Sequence, residues 1–347
     1  MKTVGMFFGK FAPLTTGHVS AINRAAGRVD ELYVVLCYDE KFNSTEPTSL
    51  QKALSLNSRF RALVNTFKHM KHVHVTYVDE TPVPSYPEGS EQFTDLVRHK
   101  LHEEFKVLQI HEVFSSEIEY AEYFSTYWPK STHVLIDPER KLVDISATKV
   151  RSNPYQYWDY LSHAAKRDFV KKVCIIGVES TGKSTLTKNL ANHFSTVSVE
   201  EVGRTMCEDE MAGTEKFMSA RDYEAIAVSH KVKEYEYSKI ANKVLFSDTN
   251  NLITLFSMEC QGITSAMVQE MAEREEYDLV IMLDTDVQWV YDPLRTNSTD
   301  ELRASTFEQL KDICTRVGTE YVQIGGTYNE RYNASVELVN NLLGEPK

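Results

Sequence analysis

The feature that most constrains the fold is the stretch 177–184, which reads Gly-Val-Glu-Ser-Thr-Gly-Lys-Ser. It has the form G-x-x-x-x-G-K-[ST], whose glycines let backbone N–H groups turn inward around phosphate oxygens. An apolar, β-favouring run precedes it at 173–176, and Leu186, Leu190 and Phe194 follow it at helical spacing. Strand, glycine loop and helix stand in the required order, so the stretch predicts a phosphate-binding loop in a parallel sheet.

Each position of this loop has an expected task. Lys183 would contact the terminal phosphates, Ser184 would offer its hydroxyl to Mg²⁺, and the helix N-terminus adds partial positive charge. The residues expected to bind ATP here are Gly177, Glu179, Ser180, Thr181, Gly182, Lys183, Ser184 and Thr185.

Length and composition narrow the class of protein. A chain of 347 residues favours two domains, and the loop lies near the middle of it. A formal net charge of -12 argues against nonspecific binding to nucleic acid or to a membrane surface. Five scattered cysteines without a C-x-x-C pair suggest neither disulfides nor zinc, so a reduced, cytoplasmic setting is expected.

The first half reads as strands alternating with helices. Such alternation predicts an α/β fold with a parallel sheet, whose ligands bind beyond the carboxyl ends of the strands. The predicted strands are 4–8, 32–37, 74–78, 112–114 and 134–136, and the predicted helices include 58–68 and 91–105.

The stretch 9–18 lies at the end of the first predicted strand and suits a nucleotide. Gly9 allows close backbone approach, Pro13 stiffens the loop, and Gly17-His18 opens a helix where phosphate is favoured. The His18 imidazole can donate a hydrogen bond to a phosphate oxygen. A single loop histidine is more often structural than catalytic, so this stretch alone leaves its role open.

A second polar stretch, 144–151, lies near the end of the same half. Ser146 and Thr148 can cap a helix and also contact phosphate, while Lys149 and Arg151 can neutralise it. An ordinary helix cap with solvated charges is the alternative.

Together the two stretches resemble the nucleotidyltransferase superfamily of adenylyl transferases, with its motifs G-x-F-x-P-x-x-x-G-H and I-S-S-T-x-x-R. The first motif is present with Thr15 in its variable place, and the second is present with Ala147 replacing a serine. The resemblance implies that Thr15 and His18 are catalytic. It implies an ATP site made of Gly9, Lys10, Phe11, Gly17, His18, Ser146, Thr148 and Arg151.

The second half supplies further strands for the phosphate-loop domain, at 197–201, 244–248, 279–284 and 321–324. A boundary near Lys166 would divide the chain into domains 1–166 and 167–347.

Two aspartates of the second half are candidate magnesium ligands. Asp248 ends a strand and is expected to bind Mg²⁺ together with Ser184, and Asp284 is a weaker candidate for that role.

Three more charged residues are candidates in this half. Either Glu201 or Asp248 would orient the attacking hydroxyl or accept its proton. Arg204 would bind the substrate, and Arg295 in a lid-like segment would stabilise the transferring phosphate. For each of these residues taken alone, the alternative is a solvent-exposed charge with no role in the site.

The domain order and flanking sequence closely resemble the bifunctional NadR family, in which a nicotinamide-nucleotide adenylyltransferase is joined to a ribosylnicotinamide kinase. The resemblance implies an enzyme of NAD salvage that uses ATP, Mg²⁺, nicotinamide mononucleotide and ribosylnicotinamide, and a homo-oligomer is compatible with it. Phe93 is a candidate to stack on the nicotinamide ring. The matching blocks include 5–18, 86–89, 137–140, 145–151, 157–160, 177–185, 203–204 and 248–249.

Three departures from the family stand out. The first strand begins at Val4, so the chain has no room for the helix-turn-helix repressor domain of longer members, and no transcriptional role is expected. Relatives have an aromatic residue where this chain has Glu200, and aspartate where it has Asn250. Glu200 and Asn250 leave open a nucleotide-sensing, degenerate kinase domain. A second alternative is an enzyme with the same domain order and a coenzyme A precursor as substrate, like the bifunctional coenzyme A synthases.

Overall fold

The structure is a computed structural model that describes residues 2–287 and 300–344. The chain divides into two compact units, Met1–Phe169 and Val170–Lys347. The boundary predicted near Lys166 falls at the end of a short helix just before this division. Among the described helices, none combines the length and the apolar character needed to cross a membrane.

The first unit is a five-stranded sheet in which all neighbouring strands are parallel, in the order β3-β2-β1-β4-β5. The strands are β1 (Val4–Gly9), β2 (Glu31–Tyr38), β3 (Val73–Asp79), β4 (Glu112–Ser115) and β5 (Thr132–Leu135). The helices are α1 (Thr16–Ala26), α2 (Glu40–Thr45), α3 (Thr48–Gln51), α4 (Leu56–Phe67), α5 (Ser90–Phe105), α6 (Ala121–Tyr127), α7 (Ala147–Ser152) and α8 (His163–Lys166).

The central strand β1 is buried on both faces, because successive side chains of a strand point in opposite directions. Phe7 packs in one core layer with Ile22 of α1 and Leu63 of α4. Met6 packs in the other layer with Phe124 of α6. The end of β1 is thereby anchored in the core, directly before the polar loop that begins at Gly9.

The second unit is also a five-stranded sheet with parallel neighbours, in the order β10-β9-β6-β8-β7. The strands are β6 (Lys171–Ile176), β7 (Ser198–Val199), β8 (Val244–Asp248), β9 (Leu279–Leu283) and β10 (Val322–Ile324). The helices are α9 (Lys183–His193), α10 (Val202–Glu210), α11 (Ala220–Ser238), α12 (Asn251–Cys260), α13 (Ala266–Glu273), α14 (Asp300–Val317) and α15 (Tyr328–Leu343). The predicted class of two parallel α/β sheets is confirmed.

Both sheets have a point where the strand order reverses, and such points form ligand crevices at the carboxyl ends of the strands. In the first sheet the point lies between β1 and β4, and in the second between β6 and β8. Ile175 of β6 is paired with Asp248 of β8, so the carboxylate that ends β8 lies beside the start of the phosphate loop.

One predicted element is shorter than expected. The sequence predicts a strand over 197–201, whereas β7 covers only Ser198–Val199. This strand is at the edge of the sheet and pairs with β8 alone, and Glu201 already forms the N-cap of α10. The other predicted strands and helices agree with the structure to within two residues at each end.

Candidate functional site

The loop after β1 has a fixed shape that packs into the core. Phe11 has a φ of 44°, in the left-handed region that non-glycine residues rarely adopt, and its side chain is buried. A Cβ on Gly9 would lie 3.3 Å from the Phe11 ring, so glycine permits this close contact. The loop therefore presents its backbone in one defined conformation.

Thr15 and His18 bind each other at the start of α1. The Thr15 amide donates to Nδ1 of His18 at 3.2 Å, and the His18 amide donates to the Thr15 hydroxyl at 3.3 Å. Because Nδ1 accepts, the proton of the neutral ring lies on Nε2. Burial, with help from the Arg140 charge, lowers the pKa of His18 to about 4, against the effect of the Pro13 carbonyl. A neutral ring with an Nε2–H donor suits contact with phosphate.

The two sequence motifs of the first unit meet, although more than a hundred residues separate them. One guanidinium nitrogen of Arg151 donates to the Ala12 carbonyl at 2.6 Å, and the other donates to the Thr148 hydroxyl at 3.3 Å. A Cβ on Gly17 would lie 3.3 Å from Ile145. The structure thus brings the residues predicted from both motifs to one edge of the sheet.

Ser146 has the capping role that the sequence allows. It is the N-cap of α7, and its hydroxyl accepts from the Lys149 amide at 3.1 Å.

The predicted phosphate-binding cations of this unit have carboxylate partners that the sequence did not reveal. Arg151 is 2.7 Å from a carboxylate oxygen of Glu46. Lys10 is 3.4 Å from Asp39 and 3.7 Å from Glu80. An incoming phosphate must share these cations with the carboxylates or displace the carboxylates. In the absence of phosphate, the ion pairs hold the cations in place.

A cavity of about 330 Å³ lies next to the loop after β1. Of the predicted residues it is lined by Gly9, Lys10 and Phe93, whereas His18, Ser146, Thr148 and Arg151 lie outside its lining. The Phe93 ring is 5.3 Å from that of Phe8, edge to face. The wall is aromatic, which suits a planar ring; its aromatic members are Phe8, Tyr86, Phe93, Tyr120 and Tyr123.

The loop after β6 has the backbone geometry of a phosphate cradle. Gly177 and Gly182 have φ values of 151° and 88°, and a Cβ on Gly177 would lie 3.1 Å from the Leu283 carbonyl. The Lys183 ammonium donates to the Val178 carbonyl at 3.1 Å. A cavity of about 330 Å³ is lined by residues 179–185 together with Glu201 and Arg204, so the predicted residues converge.

Asp248 and Ser184 fit a magnesium ion. Burial raises the pKa of Asp248, and Lys183 and the Ser184 hydroxyl oppose that shift. Oδ1 of Asp248 is buried and has no hydrogen-bond partner. Such an orphaned carboxylate oxygen beside a hydroxyl matches the oxygen ligands that Mg²⁺ prefers. Within 2–287 and 300–344 no group of three His, Cys, Asp or Glu could hold a metal, so phosphate and water would complete the shell.

The weaker candidate Asp284 has other partners. Its carboxylate accepts from the Thr285 amide and from the Gln323 side chain, both at 2.7 Å. Its hydrogen bonds join the ends of β9 and β10.

Glu201 and Arg204 lie on the cavity as the sequence predicts. Burial raises the pKa of Glu201, and the nearby Asp248 adds to the rise, while Lys183 and Arg204 oppose it. A raised pKa suits a proton acceptor. Arg204 donates to Glu208 at 2.8 Å. Arg295 lies outside the described residues.

The two substitutions that put the kinase half in doubt do not obstruct this cavity. Glu200 is exposed, lies 3.2 Å from Lys188 and is absent from the lining. Asn250 is the N-cap of α12, and its Oδ1 accepts from the Ile253 amide at 3.3 Å. Asparagine is among the preferred N-cap residues, so it performs this capping role as aspartate would.

Sequence reasoning missed Tyr223 and Arg331. Tyr223 is a buried aromatic on the cavity wall, within a helix whose periodicity reads simply as core. Arg331 is 2% exposed, and its guanidinium donates to the carbonyls of Thr181 at 2.7 Å, Asp284 at 3.0 Å and Gly326 at 3.0 Å. It fixes the phosphate loop to the ends of β9 and β10.

The fold and these sites define a two-unit enzyme in which a nucleotidyltransferase-type domain precedes a kinase-type phosphate-loop domain. Family models agree: one described as cytidylyltransferase-like matches residues 6–153, and one described as an AAA domain matches residues 172–331.

Relatives that match along the whole chain identify the family. The trifunctional NAD biosynthesis/regulator protein NadR of Salmonella typhimurium is 34% identical over 348 residues, covering 99% of this chain and 84% of that protein. The protein of the same name from Escherichia coli is 33% identical over 350 residues, covering 100% and 85%. The chain belongs to the NadR family.

Solved structures share the fold. A crystal structure of NadR protein in complex with NR has a TM-score of 0.83 at 21% identity, covering 99% of this chain and 97% of that one. Another, in complex with NAD and AMP-PNP, has a TM-score of 0.81 at 22% identity, covering 100% and 98%.

Proposed function

We propose that the chain makes NAD in two steps. The second unit transfers the γ-phosphate of ATP to the 5′-hydroxyl of ribosylnicotinamide, giving nicotinamide mononucleotide. The first unit then joins that mononucleotide to the adenylyl group of ATP, giving NAD and pyrophosphate. The observation that carries the proposal is that the described residues of each nucleotide motif come together in a chain that matches NAD biosynthesis proteins along nearly its whole length.

In the first unit, a phosphate oxygen of the mononucleotide attacks the α-phosphorus of ATP, and the bond to pyrophosphate breaks. Catalysis then consists of positioning and charge stabilisation. His18 donates from Nε2 to the phosphates, held in that tautomer by Thr15. Ser146, Thr148 and Arg151 bind the leaving β- and γ-phosphates.

The other predicted residues of this unit shape and fill the site. Gly9, Phe11 and Gly17 set the path of the loop, Lys10 adds positive charge, and Phe93 offers its ring to the nicotinamide. The aromatic cavity beside the loop supports this placement.

In the second unit, Lys183 contacts the β- and γ-phosphates, and backbone N–H groups of 179–185 surround them. Ser184 and Asp248 would hold Mg²⁺, which neutralises phosphate charge when bound. Glu201 takes the proton of the 5′-hydroxyl, and Arg204 binds the acceptor or the transferring phosphate.

The coenzyme A alternative has weaker support. Phosphopantetheine adenylyltransferase of Lactococcus lactis subsp. cremoris is 30% identical over 104 residues, which is 28% of this chain and 62% of that protein. The similarity to phosphopantetheine adenylyltransferase therefore covers less than a third of this chain, whereas the similarity to the NadR relatives extends over both units.

A pyrophosphate-release assay on the full chain tests the first half of the proposal. With ATP and Mg²⁺, nicotinamide mononucleotide should support turnover and phosphopantetheine should not. The reverse preference would replace the proposal with the coenzyme A alternative. ATP-dependent phosphorylation of ribosylnicotinamide, read by mass spectrometry, tests the second half, and no phosphorylated riboside would favour a nucleotide-sensing domain.

A further inference from the structure

Helix α2 contacts both of the motifs that build the nucleotide site of the first unit. Its residue Phe42 is half-buried, and two cations lie over its ring. Nζ of Lys10 is 4.6 Å from the ring centroid, and the guanidinium carbon of Arg151 is 5.0 Å from it. Lys10 follows β1 and Arg151 lies in α7, so one ring joins cations from the two motifs. Phe42 itself belongs to neither motif.

Each of these cations also has a carboxylate partner, which holds it in a different way. Oδ2 of Asp39 is 3.4 Å from Nζ of Lys10, and Oε1 of Glu46 is 2.7 Å from Nε of Arg151. A carboxylate cancels the charge of the cation, so ATP phosphates must compete with it. The face of an aromatic ring attracts a cation within about 6 Å through its quadrupole and carries no net charge. The ring therefore keeps the cations in place without competing for them as an anion.

The backbone of Lys10 is fixed independently of Phe42. The guanidinium of Arg59, which is 2% exposed, donates to the Lys10 carbonyl at 2.9 Å. The Lys10 side chain is 46% exposed, and a long lysine side chain loses rotamer freedom when it is ordered. Contact with the Phe42 ring orders this side chain in the free protein, so less of the entropic cost falls on ATP binding.

The two cations depend on the ring to different degrees. The Arg151 side chain is 14% exposed, and its guanidinium also donates to the Ala12 carbonyl at 2.6 Å. The Lys10 ammonium has longer contacts, at 3.4 Å from Asp39 and 3.7 Å from Glu80. Lys10 is therefore the cation whose position depends more on the ring.

We propose that Phe42 is a positioning residue of the adenylyl-transfer site, whose ring holds Lys10 and, to a lesser degree, Arg151 in place for the triphosphate of ATP. The inference rests on the proposed adenylyl transfer. Phe42 acts through these cations and takes no part in bond making. Its contribution should therefore be to the KM for ATP, and the kinase reaction of the second unit should not depend on it.

Fluorinated phenylalanines test this role, because each ring fluorine weakens the attraction for a cation and changes the shape of the ring little. One, two or three fluorines are placed on the ring at position 42, and adenylyl transfer is measured at saturating nicotinamide mononucleotide. The KM for ATP should rise with each fluorine, by about 10-fold in the trifluoro variant, while kcat stays within about twofold. Phe42→Tyr keeps an electron-rich ring and should stay close to wild type.

Phe60 provides the matched control. It is half-buried like Phe42, but it packs edge to face on Tyr77 at 5.7 Å, so the same fluorination there should leave the KM for ATP unchanged. A second control removes the cation. In the Lys10→Met background, trifluoro substitution at position 42 should raise the KM for ATP by no more than about threefold, since the contact with Arg151 remains.

A KM for ATP that does not change with fluorination at position 42 would overturn the inference, as would an undiminished rise in the Lys10→Met background. A matching loss of ribosylnicotinamide phosphorylation would also overturn it, because the effect would then lie outside the adenylyl-transfer site. All three results leave the proposed adenylyl transfer intact. Failure of the wild-type chain to form NAD from nicotinamide mononucleotide and ATP would overturn that function itself.

Discussion

The backbone amide of Thr15 donates to Nδ1 of His18 at 3.2 Å, and this contact decides where the imidazole keeps its proton. The ring is neutral with its hydrogen on Nε2. In the reaction that we propose, His18 would therefore act as a neutral hydrogen-bond donor, and Arg151 and Lys10 would supply positive charge.

The pKa of this histidine is the first prediction. Burial and Arg140 lower it from 6.5 to about 4 in the free protein, so the ring should not titrate between pH 5.5 and 8. Between pH 4 and 6.5 the unfolded chain binds a proton on His18 that the folded chain does not, so the free energy of unfolding should fall as pH drops from 6.5 towards 4. Above about pH 7 His18 should not affect the free energy of unfolding. A ¹H–¹⁵N correlation spectrum of the ring should show an Nε2–H tautomer, and titration near 6.5 would contradict the account.

Asp248 carries the second prediction. Asp248→Asn keeps the shape but removes the charge of a buried oxygen that has no hydrogen-bond partner. We expect riboside kinase kcat to fall by about 100-fold and the Mg²⁺ concentration for half activity to rise, because one anionic ligand is lost. Mg²⁺ titrations at fixed ATP measure both. The exposed Asp209→Asn is the control, and an unchanged Mg²⁺ requirement in Asp248→Asn would count against the assigned role.

The third prediction concerns Arg331, which hydrogen-bonds to three backbone carbonyls around the phosphate loop. Arg331→Met leaves those acceptors without their donor and should destabilise the second unit by about 2–4 kcal/mol. The KM for ATP in the kinase reaction should rise, while adenylyl transfer should remain. Urea unfolding and the two assays measure these effects, with Arg221→Met at an exposed position of α11 as the control. Equal loss of both activities would mean that the arginine supports more than its own unit.

The central strands of both sheets could be predicted because they are apolar runs, and glycine loops follow β1 and β6. The core of β6 shows this directly: Val173 to Ile176 are fully buried, as their sequence suggests. The edge strand β7 was predicted too long, since its flanking residues have similar composition and only pairing with β8 defines its ends.

The phosphate loop and the paired motifs of the first unit could also be predicted, because short-range spacing fixes their chemistry. The ion pair between Arg151 and Glu46 could not, since it joins residues from different elements. Arg331 reads in the sequence as an ordinary surface arginine of a helix, and only the tertiary fold buries it. The same holds for Tyr223, whose place on the cavity wall depends on the packing of α11.

The central claim is that one chain converts ribosylnicotinamide to NAD through two independent sites. The most direct measurement supplies ribosylnicotinamide, ATP and Mg²⁺ and quantifies products by mass spectrometry. Wild type should form NAD with equal amounts of ADP and pyrophosphate.

Two variants assign each step to its site. His18→Ala should stop at nicotinamide mononucleotide, whereas Lys183→Ala should leave the riboside unchanged but still make NAD from added mononucleotide. The exposed residues His163 and Lys188, each changed to alanine, should match wild type. NAD formed from the riboside by Lys183→Ala, or unimpaired synthesis by His18→Ala, would contradict the account.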